Sequence, residues 1–171
     1  MALYLAIPAR RHRRAWKQLR SEFDHDDAVH FALYQGSKTY GQFMRKWRNF
    51  HTGGHLPDGY VPGTKYFLLE EGNPKILGVI DIRHSLNDHL LNRGGHIGYA
   101  VAPSERRKGY AMQQLRLALE ICRDMGLSPV LITCDQDNIA SAKVIQKNGG
   151  VLEDERMSVE GKVFQRYWIT L

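Results

Sequence analysis

The sequence predicts an α/β domain in which a mixed β-sheet carries helices on both faces. Three observations lead to that fold class. The continuous apolar run at residues 129–134 is typical of a strand covered on both faces. Ahead of it, apolar residues recur at i, i+4, i+7 and i+8 over residues 111–125, which indicates a long amphipathic helix. Two strand-like segments, residues 65–70 and 75–83, flank a turn and predict an antiparallel hairpin.

Composition fits one domain spanning residues 1–171. A chain of 171 residues that is 43% hydrophobic can bury one core and is too short for two comfortable ones. The net charge of +6 favours an anionic partner, and a nucleotide-like cofactor, a nucleic acid or an acidic substrate would each satisfy it. Cys122 and Cys134 have neither metal-ligand nor redox spacing, so we expect two reduced thiols and no metal site.

No targeting or membrane segment is expected. The N-terminal apolar run is too short for a signal peptide and has no basic region before it. No window approaches the roughly 20 consecutive apolar residues that a transmembrane helix needs. We therefore expect a soluble cytoplasmic protein without a membrane partner.

The residues before the hairpin are predicted to form a strand and two helices. Residues 3–7 alternate weakly as a strand that Pro8 ends, and residues 9–23 follow as an amphipathic helix. Its basic side is usual for a solvated face and could also bind phosphates. That side carries Arg10, Arg11, Arg13, Arg14, Lys17 and Arg20. Residues 24–37 show little periodicity, and aromatic residues at helical spacing over residues 40–50 predict the second helix.

After the hairpin, an irregular excursion at residues 84–95 leads into a strand at residues 96–101. Ser104 and Glu105 are expected to begin the long helix, which Gly126 ends as a left-handed cap. That strand, the long helix and the strand at residues 129–134 would form a right-handed crossover.

A short helix and two strands complete the predicted order. Asp137 or Asn138 caps the helix over residues 139–148, which a glycine pair ends. The last strands are predicted at residues 151–159 and 163–171, on either side of a turn.

The junction between the strand at residues 96–101 and the long helix has the composition of an anion site. Backbone N–H groups in the first turn of a helix have no intrahelical acceptor, and the helix dipole is positive there. Gly109 and the small Ala111 permit close approach of a ligand to the backbone. Three basic residues add positive charge: Arg106, Arg107 and Lys108. We expect a phosphate near Gly109.

The same residues carry a resemblance to a known family. The chain resembles the GNAT superfamily of acyl-CoA-dependent N-acetyltransferases, whose signature Arg/Gln-x-x-Gly-x-Gly/Ala has its counterpart in residues 106–111, RRKGYA. A second marker, an asparagine that opens the next helix and a glycine pair after it, matches Asn138 and Gly149-Gly150. Within the superfamily, most of residues 58–171 is similar to a bacterial branch of predicted acetyltransferases. The resemblance implies a GNAT-like fold, with a central, mostly antiparallel sheet and a parallel splayed strand pair.

The resemblance also implies acetyl-CoA as the cosubstrate. The basic loop would hold the pyrophosphate, the open strand edge would hold the pantetheine arm, and Asn138 would hydrogen-bond that arm or only cap its helix. One strand N–H group would polarise the thioester carbonyl, a contribution of about 3 kcal/mol from a donor aimed at developing charge. The implied cofactor-binding residues are Tyr99, Ala100, Val101, Arg106, Arg107, Lys108, Gly109, Tyr110, Ala111, Met112 and Asn138.

The implied acceptor is a primary amine of a small molecule or peptide, and it must lose a proton before it attacks the thioester carbon. We assign the general base to His96, because imidazole titrates near neutral pH and related enzymes often place a Glu at the corresponding strand position. A single histidine is also often structural, and three other residues could replace it as the base: His84, Asp81 and Asp135.

One position departs from the family pattern. The tyrosine that protonates the thiolate in relatives is expected seven residues after Asn138, where this chain has Ile145. Either Tyr99 or Ser141 supplies the hydroxyl, or solvent protonates the thiolate, whose thiol has a pKa near 8.5. A third alternative is that the protein binds the cofactor without transferring the acetyl group.

Three functions therefore stay open. The first is an N-acetyltransferase in which the amine attacks acetyl-CoA directly within a ternary complex. The second is a catalytically silent acyl-CoA-binding or sensor protein. The third, a nucleic-acid-binding domain using residues 10–20, is disfavoured because Trp16, the one aromatic residue of that run, is expected on the buried face. Residues 51–64, rich in Pro and Gly, are interpreted as a lid over the acceptor, and a homodimer is left open.

Overall fold

Seven strands and five α-helices lie in the part of the chain that the computed structural model describes, residues 2–23, 33–34 and 36–171. The strands are β1 (Leu3–Ala6), β2 (Gly63–Glu70), β3 (Gly78–Arg83), β4 (Ile97–Val101), β5 (Val130–Asp135), β6 (Val151–Met157) and β7 (Val163–Ile169). The helices are α1 (Arg13–Glu22), α2 (Tyr40–Thr52), α3 (Asp88–Asn92), α4 (Tyr110–Asp124) and α5 (Ile139–Lys147). Residues 24–32 and 35, within the stretch that shows little periodicity, lie outside the described residues.

The strands form two antiparallel sheets, in the orders β1-β2-β3-β4 and β5-β7-β6, and the mixed α/β class is confirmed. The predicted hairpin of β2 and β3 is also confirmed. β3 begins at Gly78 rather than at Lys75, because the Asn73 side chain accepts the Lys75 N–H at 3.1 Å and holds that residue in the turn. In the centre of the first sheet, Asp81 lies opposite Lys65 on one side and Gly98 on the other.

The two sheets meet where β4 and β5 begin and then separate. The His96 N–H donates to the Leu131 carbonyl at 2.7 Å, and Gly95 forms an isolated bridge with Ile132. Beyond this junction, β4 and β5 have no pairing within the described ranges, so the splayed strand pair opens here. The bridge is antiparallel and lies before β4, where two glycines are left-handed (Gly94 φ 114°, Gly95 φ 63°). The parallel direction of the splayed pair itself stays a prediction.

Helices cover both faces of the first sheet, as the sequence predicts. α1 and α2 pack an aromatic cluster on one face, which includes Trp16, Tyr40, Phe43, Trp47 and Phe67. α4 packs on the other face with Ile80, Ile82, Leu115 and Ala118, in a cluster that the second sheet and α5 complete. Because β3 is covered on both faces, its apolar residues of either parity are buried.

The long helix begins later than the sequence suggests. Ser104 and Glu105 were expected at its start, but they lie in a separate 3-10 helix, Pro103–Glu105. Gly109 then adopts a left-handed conformation (φ 85°, ψ 1°), so α4 begins at Tyr110. At the other end, Gly126 (φ 73°) confirms the predicted left-handed cap.

Three features predicted from composition can be compared with the structure. Trp16 of the basic run is 1% exposed, while most of the cations around it face solvent. Cys122 and Cys134 are free and buried, and burial raises the pKa of each thiol to about 11. None of the described helices is long and apolar enough to cross a membrane.

Candidate functional site

The start of α4 presents backbone donors to open space. The first intrahelical bond runs from the Gln113 N–H to the Gly109 carbonyl at 3.4 Å, so the three preceding amides, of Tyr110, Ala111 and Met112, have no intrahelical acceptor. A Cβ built at Gly109 would meet no atom within 4 Å. The predicted anion site therefore has the geometry expected of it, with unused N–H groups at the positive end of a 15-residue helix.

The three basic residues beside this site differ in their availability. Lys108 Nζ lies 2.7 Å from a carboxylate oxygen of the buried Glu105, and Lys75 Nζ lies 3.1 Å from the other oxygen. These hydrogen bonds, that of Lys108 above all, hold the pKa of Glu105 below its usual value. Arg106 Nε donates to the Val101 carbonyl at 3.3 Å. Arg107 is exposed, in a left-handed conformation (φ 64°), and its charge has no counterion among the described residues.

β4 has one paired and one open edge. Tyr99, Ala100 and Val101 lie opposite Ile80, Val79 and Gly78 of β3. On the side facing β5, the described residues supply no strand partner after the His96 junction. The backbone groups of that edge are thus available to an extended ligand, which would bind as a further strand does.

A pair of hydroxyl groups spans the opening between β4 and α5. The Tyr99 hydroxyl lies 2.7 Å from Ser141 Oγ, and burial raises the pKa of Tyr99 to about 12. Ile145, one turn after Ser141, is fully buried in the core. The two hydroxyls proposed as substitutes for the missing tyrosine therefore contact each other, while Ile145, on the same side of α5, is buried and offers no hydroxyl.

Asn138 caps α5, because its Oδ1 accepts the Ser141 N–H at 3.1 Å. Its side chain is exposed, so a contact to a ligand stays a prediction.

His96 has a structural role at the junction of the two sheets. Its side chain is buried, and Nδ1 accepts the Leu131 N–H at 3.0 Å. The ring proton is therefore assigned to Nε2, which leaves no free lone pair for a base in this tautomer. Burial, with the nearby Arg83, lowers the pKa of His96. Catalysis by His96 stays a prediction that requires a change of tautomer.

The residues considered in place of His96 lie in different surroundings. Asp135 accepts a hydrogen bond from Arg93 at 3.0 Å. His84 Nε2 lies 2.9 Å from Thr64 Oγ1, and burial lowers the pKa of this histidine. Asp81 lies on the floor of a cavity, as described next.

A cavity of about 620 Å³ lies over the face of the first sheet that carries α2. The predicted lid segment, residues 51–64, supplies much of its wall. The lining residues are Tyr34, Lys46, Asn49, Phe50, His55, Pro57, Gly59, Tyr60, Val61, Gly63, Lys65, Asp81, Arg83, His89 and Leu90. Because Asp81 pairs with Gly98, the cavity floor adjoins β4.

Three charged side chains form the floor of the cavity. Lys65 Nζ lies 3.7 Å from Asp81 Oδ1, and Arg83 Nε lies 3.9 Å from Asp81 Oδ2. Arg83 also donates to the carbonyls of Gly94 and Gly95, at 2.9 and 3.0 Å. Burial is the largest influence on Lys65 and lowers its pKa.

Of the three residues on the cavity floor, the sequence predicted a functional role only for Asp81. Lys65 and Arg83 were not predicted. A signal was present, because charged residues at positions 81 and 83 interrupt an otherwise apolar strand and must share one face.

An aromatic wall rises from this floor. The rings of Tyr34 and Phe50 stack with centroids 5.3 Å apart, and Tyr60 meets Phe50 edge-on at 5.6 Å. Lys65 Nζ lies 4.6 Å from the centroid of the Tyr34 ring. The buried Tyr34 hydroxyl has no hydrogen-bond partner among the described residues.

Comparison with solved structures identifies the same fold in known acetyltransferases. RimL, a ribosomal L7/L12 alpha-N-protein acetyltransferase in complex with coenzyme A, matches with a TM-score of 0.74 and 18% identity, over 100% of this chain and 95% of that one. The microcin C7 self-immunity acetyltransferase MccE, in complex with acetyl-CoA and AMP, matches with a TM-score of 0.66 and 17% identity, over 99% and 92%. At these identities the likeness concerns the fold.

Comparison of sequences gives the family. "GCN5-related N-acetyltransferase 6, chloroplastic" from Arabidopsis thaliana is 34% identical over 86 residues, which cover 50% of this chain and 30% of that protein. The model of the acetyltransferase (GNAT) domain family matches residues 9–151. The helix start after β4, the open edge of β4 and this match agree, and the chain belongs to the GNAT acetyltransferase domain family.

Proposed function

We propose that this protein transfers an acetyl group from acetyl-CoA to a primary amine by direct attack in a ternary complex. The observation that carries the proposal is the anion site at the start of α4, placed beside the open edge of β4. Relatives of the same fold have been solved with coenzyme A or acetyl-CoA bound, which supports this choice of cosubstrate.

The residues of this chain fit the parts of coenzyme A in order. The free amides of Tyr110, Ala111 and Met112, with the Arg107 guanidinium, suit the pyrophosphate. The open backbone edge at Tyr99 and Val101 suits the amide groups of the pantetheine arm, because Ala100 has the same parity as His96 and Ala102, which hydrogen-bond on the β3 side. Lys108 is expected to contribute less than Arg107, because Glu105 neutralises its charge.

The transfer needs a polarised carbonyl and a protonated leaving group. In the reaction, the ammonium form of the acceptor first releases one proton, and the amine nitrogen then bonds to the acetyl carbon while the carbon–sulfur bond breaks. A second proton leaves the nitrogen and one is returned to the thiolate, which gives an amide and the coenzyme A thiol. A β4 N–H aimed at the thioester oxygen would stabilise the developing charge by about 3 kcal/mol. The Tyr99–Ser141 pair can return a proton to the thiolate, since Tyr99 stays protonated at neutral pH.

A second candidate function is a silent acyl-CoA-binding protein. The burial of Ile145 at the position of the family tyrosine favours it. The two functions share the cofactor site and differ only in turnover.

The test combines cofactor binding with turnover. Calorimetry measures coenzyme A binding, and a thiol assay follows a panel of free amino acids, peptides and polyamines with acetyl-CoA. Amine-dependent thiol release supports the transferase. Binding without release for any amine supports the silent binder, and absence of binding refutes both.

A further inference from the structure

The cavity floor places opposite charges side by side next to β4. Asp81 and Arg83 are two residues apart on β3 and therefore lie on the same face of the sheet. Asp81 adjoins Gly98 of β4, and Arg83 adjoins Gly63 of β2. Gly63 lines the cavity beside the Asp81 and Arg83 side chains and adds no side chain of its own to the space above them.

The Asp81 carboxylate can accept further hydrogen bonds. Its contacts to Lys65 and Arg83, at 3.7 and 3.9 Å, are longer than a hydrogen bond. These cations hold the carboxylate electrostatically, and among the described residues it accepts no side-chain hydrogen bond within 3.5 Å, so an ammonium group can donate to it. The Arg83 guanidinium donates through NH1 to two backbone carbonyls, which fixes its plane, and its fork geometry suits a carboxylate.

The walls of the cavity favour an apolar group. The rings of Phe50 and Tyr60 and the side chains of Val61 and Leu90 line it above the charged floor. The cavity thus combines a charged end with an apolar body, which is the usual form of a small-molecule site.

We propose that the acceptor is a free α-amino acid with an apolar or aromatic side chain, its ammonium group at Asp81 and its carboxylate at Arg83. An α-amino acid carries an ammonium and a carboxylate group on the same carbon, which suits the adjacent Asp81 and Arg83, whereas the N-terminus of a peptide has no carboxylate there. This inference rests on the proposed acetyl transfer and names its substrate class. The ammonium loses one proton, its nitrogen bonds to the acetyl carbon, and the carbon–sulfur bond breaks to give an N-acetylamino acid and the coenzyme A thiol.

The first experiment compares three acceptors that share the same amine and side chain and differ in the α-carboxyl group, which is a free acid, an amide or a peptide bond. They are L-phenylalanine, L-phenylalanine amide and the peptide Phe-Gly-Gly. We expect kcat/KM for the free acid to exceed that for the other two at least tenfold, because only the free acid presents a carboxylate to Arg83. Equal or better use of the amide or peptide would overturn this inference and leave acetyl transfer standing. Absence of transfer to all amines, with coenzyme A still bound, would overturn the proposed transfer as well.

The second experiment tests the site without turnover. Calorimetric titration of L-phenylalanine into the protein saturated with coenzyme A should show binding that Asp81→Asn weakens at least tenfold. Asp58→Asn, on the exposed part of the lid segment and outside the cavity lining, should leave it unchanged. Coenzyme A affinity and the unfolding temperature report whether each variant is folded. Equal affinity for Asp81→Asn and the unmodified protein would refute the assignment.

Discussion

The proposed cofactor side and the proposed acceptor side of this molecule are built in different ways. The anion site at α4 comes from one continuous segment, in which Gly109 sets the conformation and the following amides supply the donors. The acceptor cavity is assembled from α2, the lid segment and two strands, with Lys65 and Asp81 brought together by strand register. A local site is fixed by the conformation of a few residues, whereas an assembled one depends on the whole fold. Variants can test the two sides separately.

The largest expected effect is on the cofactor side. Gly109→Glu should weaken coenzyme A binding by about 1000-fold, or about 4 kcal/mol, because it places a carboxylate beside the proposed pyrophosphate. Gly126→Glu is the matched control, since both glycines have positive φ and open space around them, at opposite ends of α4. Both variants should lose similar stability, and calorimetry should detect the binding loss only for Gly109→Glu. Similar affinities of the two variants would contradict the proposed anion site.

The junction that joins the two β-sheets is the next test. Gly95→Ala should destabilise the protein by about 3 kcal/mol, because a Cβ there would collide with the Leu131 carbonyl in addition to the strain of a positive φ. Gly161→Ala, also at positive φ but with open space around it, should cost only about 1 kcal/mol. Denaturant unfolding measures both. Equal destabilisation would mean that close contact of β4 with β5 is unimportant.

The same contrast explains what could be predicted from the sequence. The proposed cofactor loop could be recognised because its determinants lie within residues 106–111, and Gly109 was named there for close backbone approach, although its left-handed conformation was not predicted. The start of α4 was placed too early, since a turn of 3-10 helix at Pro103–Glu105 has the same local signals as an α-helix start. The Pro and Gly content of residues 51–64 drew attention to a segment that lines the cavity, and its role as a lid stays a prediction.

The acceptor floor could only be predicted in part. Asp81 was named as a substitute for the base, but its neighbours depend on the pairing of β2 with β3, which no local pattern specifies. Likewise, the acceptance of the Leu131 N–H by His96 depends on a contact 35 residues away along the chain. The residue type alone indicated that His96 could titrate near neutral pH. It did not indicate that Nδ1 of the ring would accept the Leu131 N–H.

A smaller effect is expected at the hydroxyl pair between the two sides. Tyr99→Phe should lower kcat about tenfold if this pair returns the proton to the thiolate, with coenzyme A affinity unchanged. Ser141→Ala should do the same, and the double variant should be no slower than either single one, because both remove one relay. Tyr167→Phe removes a hydroxyl bonded to Gln165 on the second sheet and serves as the control. Unchanged kcat in Tyr99→Phe would assign the proton to solvent.

The smallest effect concerns the pH dependence of His96. Its pKa in the folded protein is lowered, chiefly by burial, so the unfolded chain takes up the proton first as the pH falls. The contribution of His96 to stability is therefore complete above the unfolded value near 6.5 and declines as the pH falls through that value towards the lowered one. His96→Asn removes the titration and keeps an acceptor for the Leu131 N–H.

Urea unfolding of His96→Asn between pH 8 and pH 5 should show a smaller loss of stability on acidification than the unmodified protein. Both proteins should still lose some stability between pH 8 and pH 5, because burial also lowers the pKa of His12 and His84. Measuring the rate of acetyl transfer by His96→Asn distinguishes a purely structural role of His96 from a catalytic one. A variant that keeps its turnover and its pH profile would assign His96 to the junction alone, whereas a flattened profile with intact coenzyme A binding would assign it the base as well.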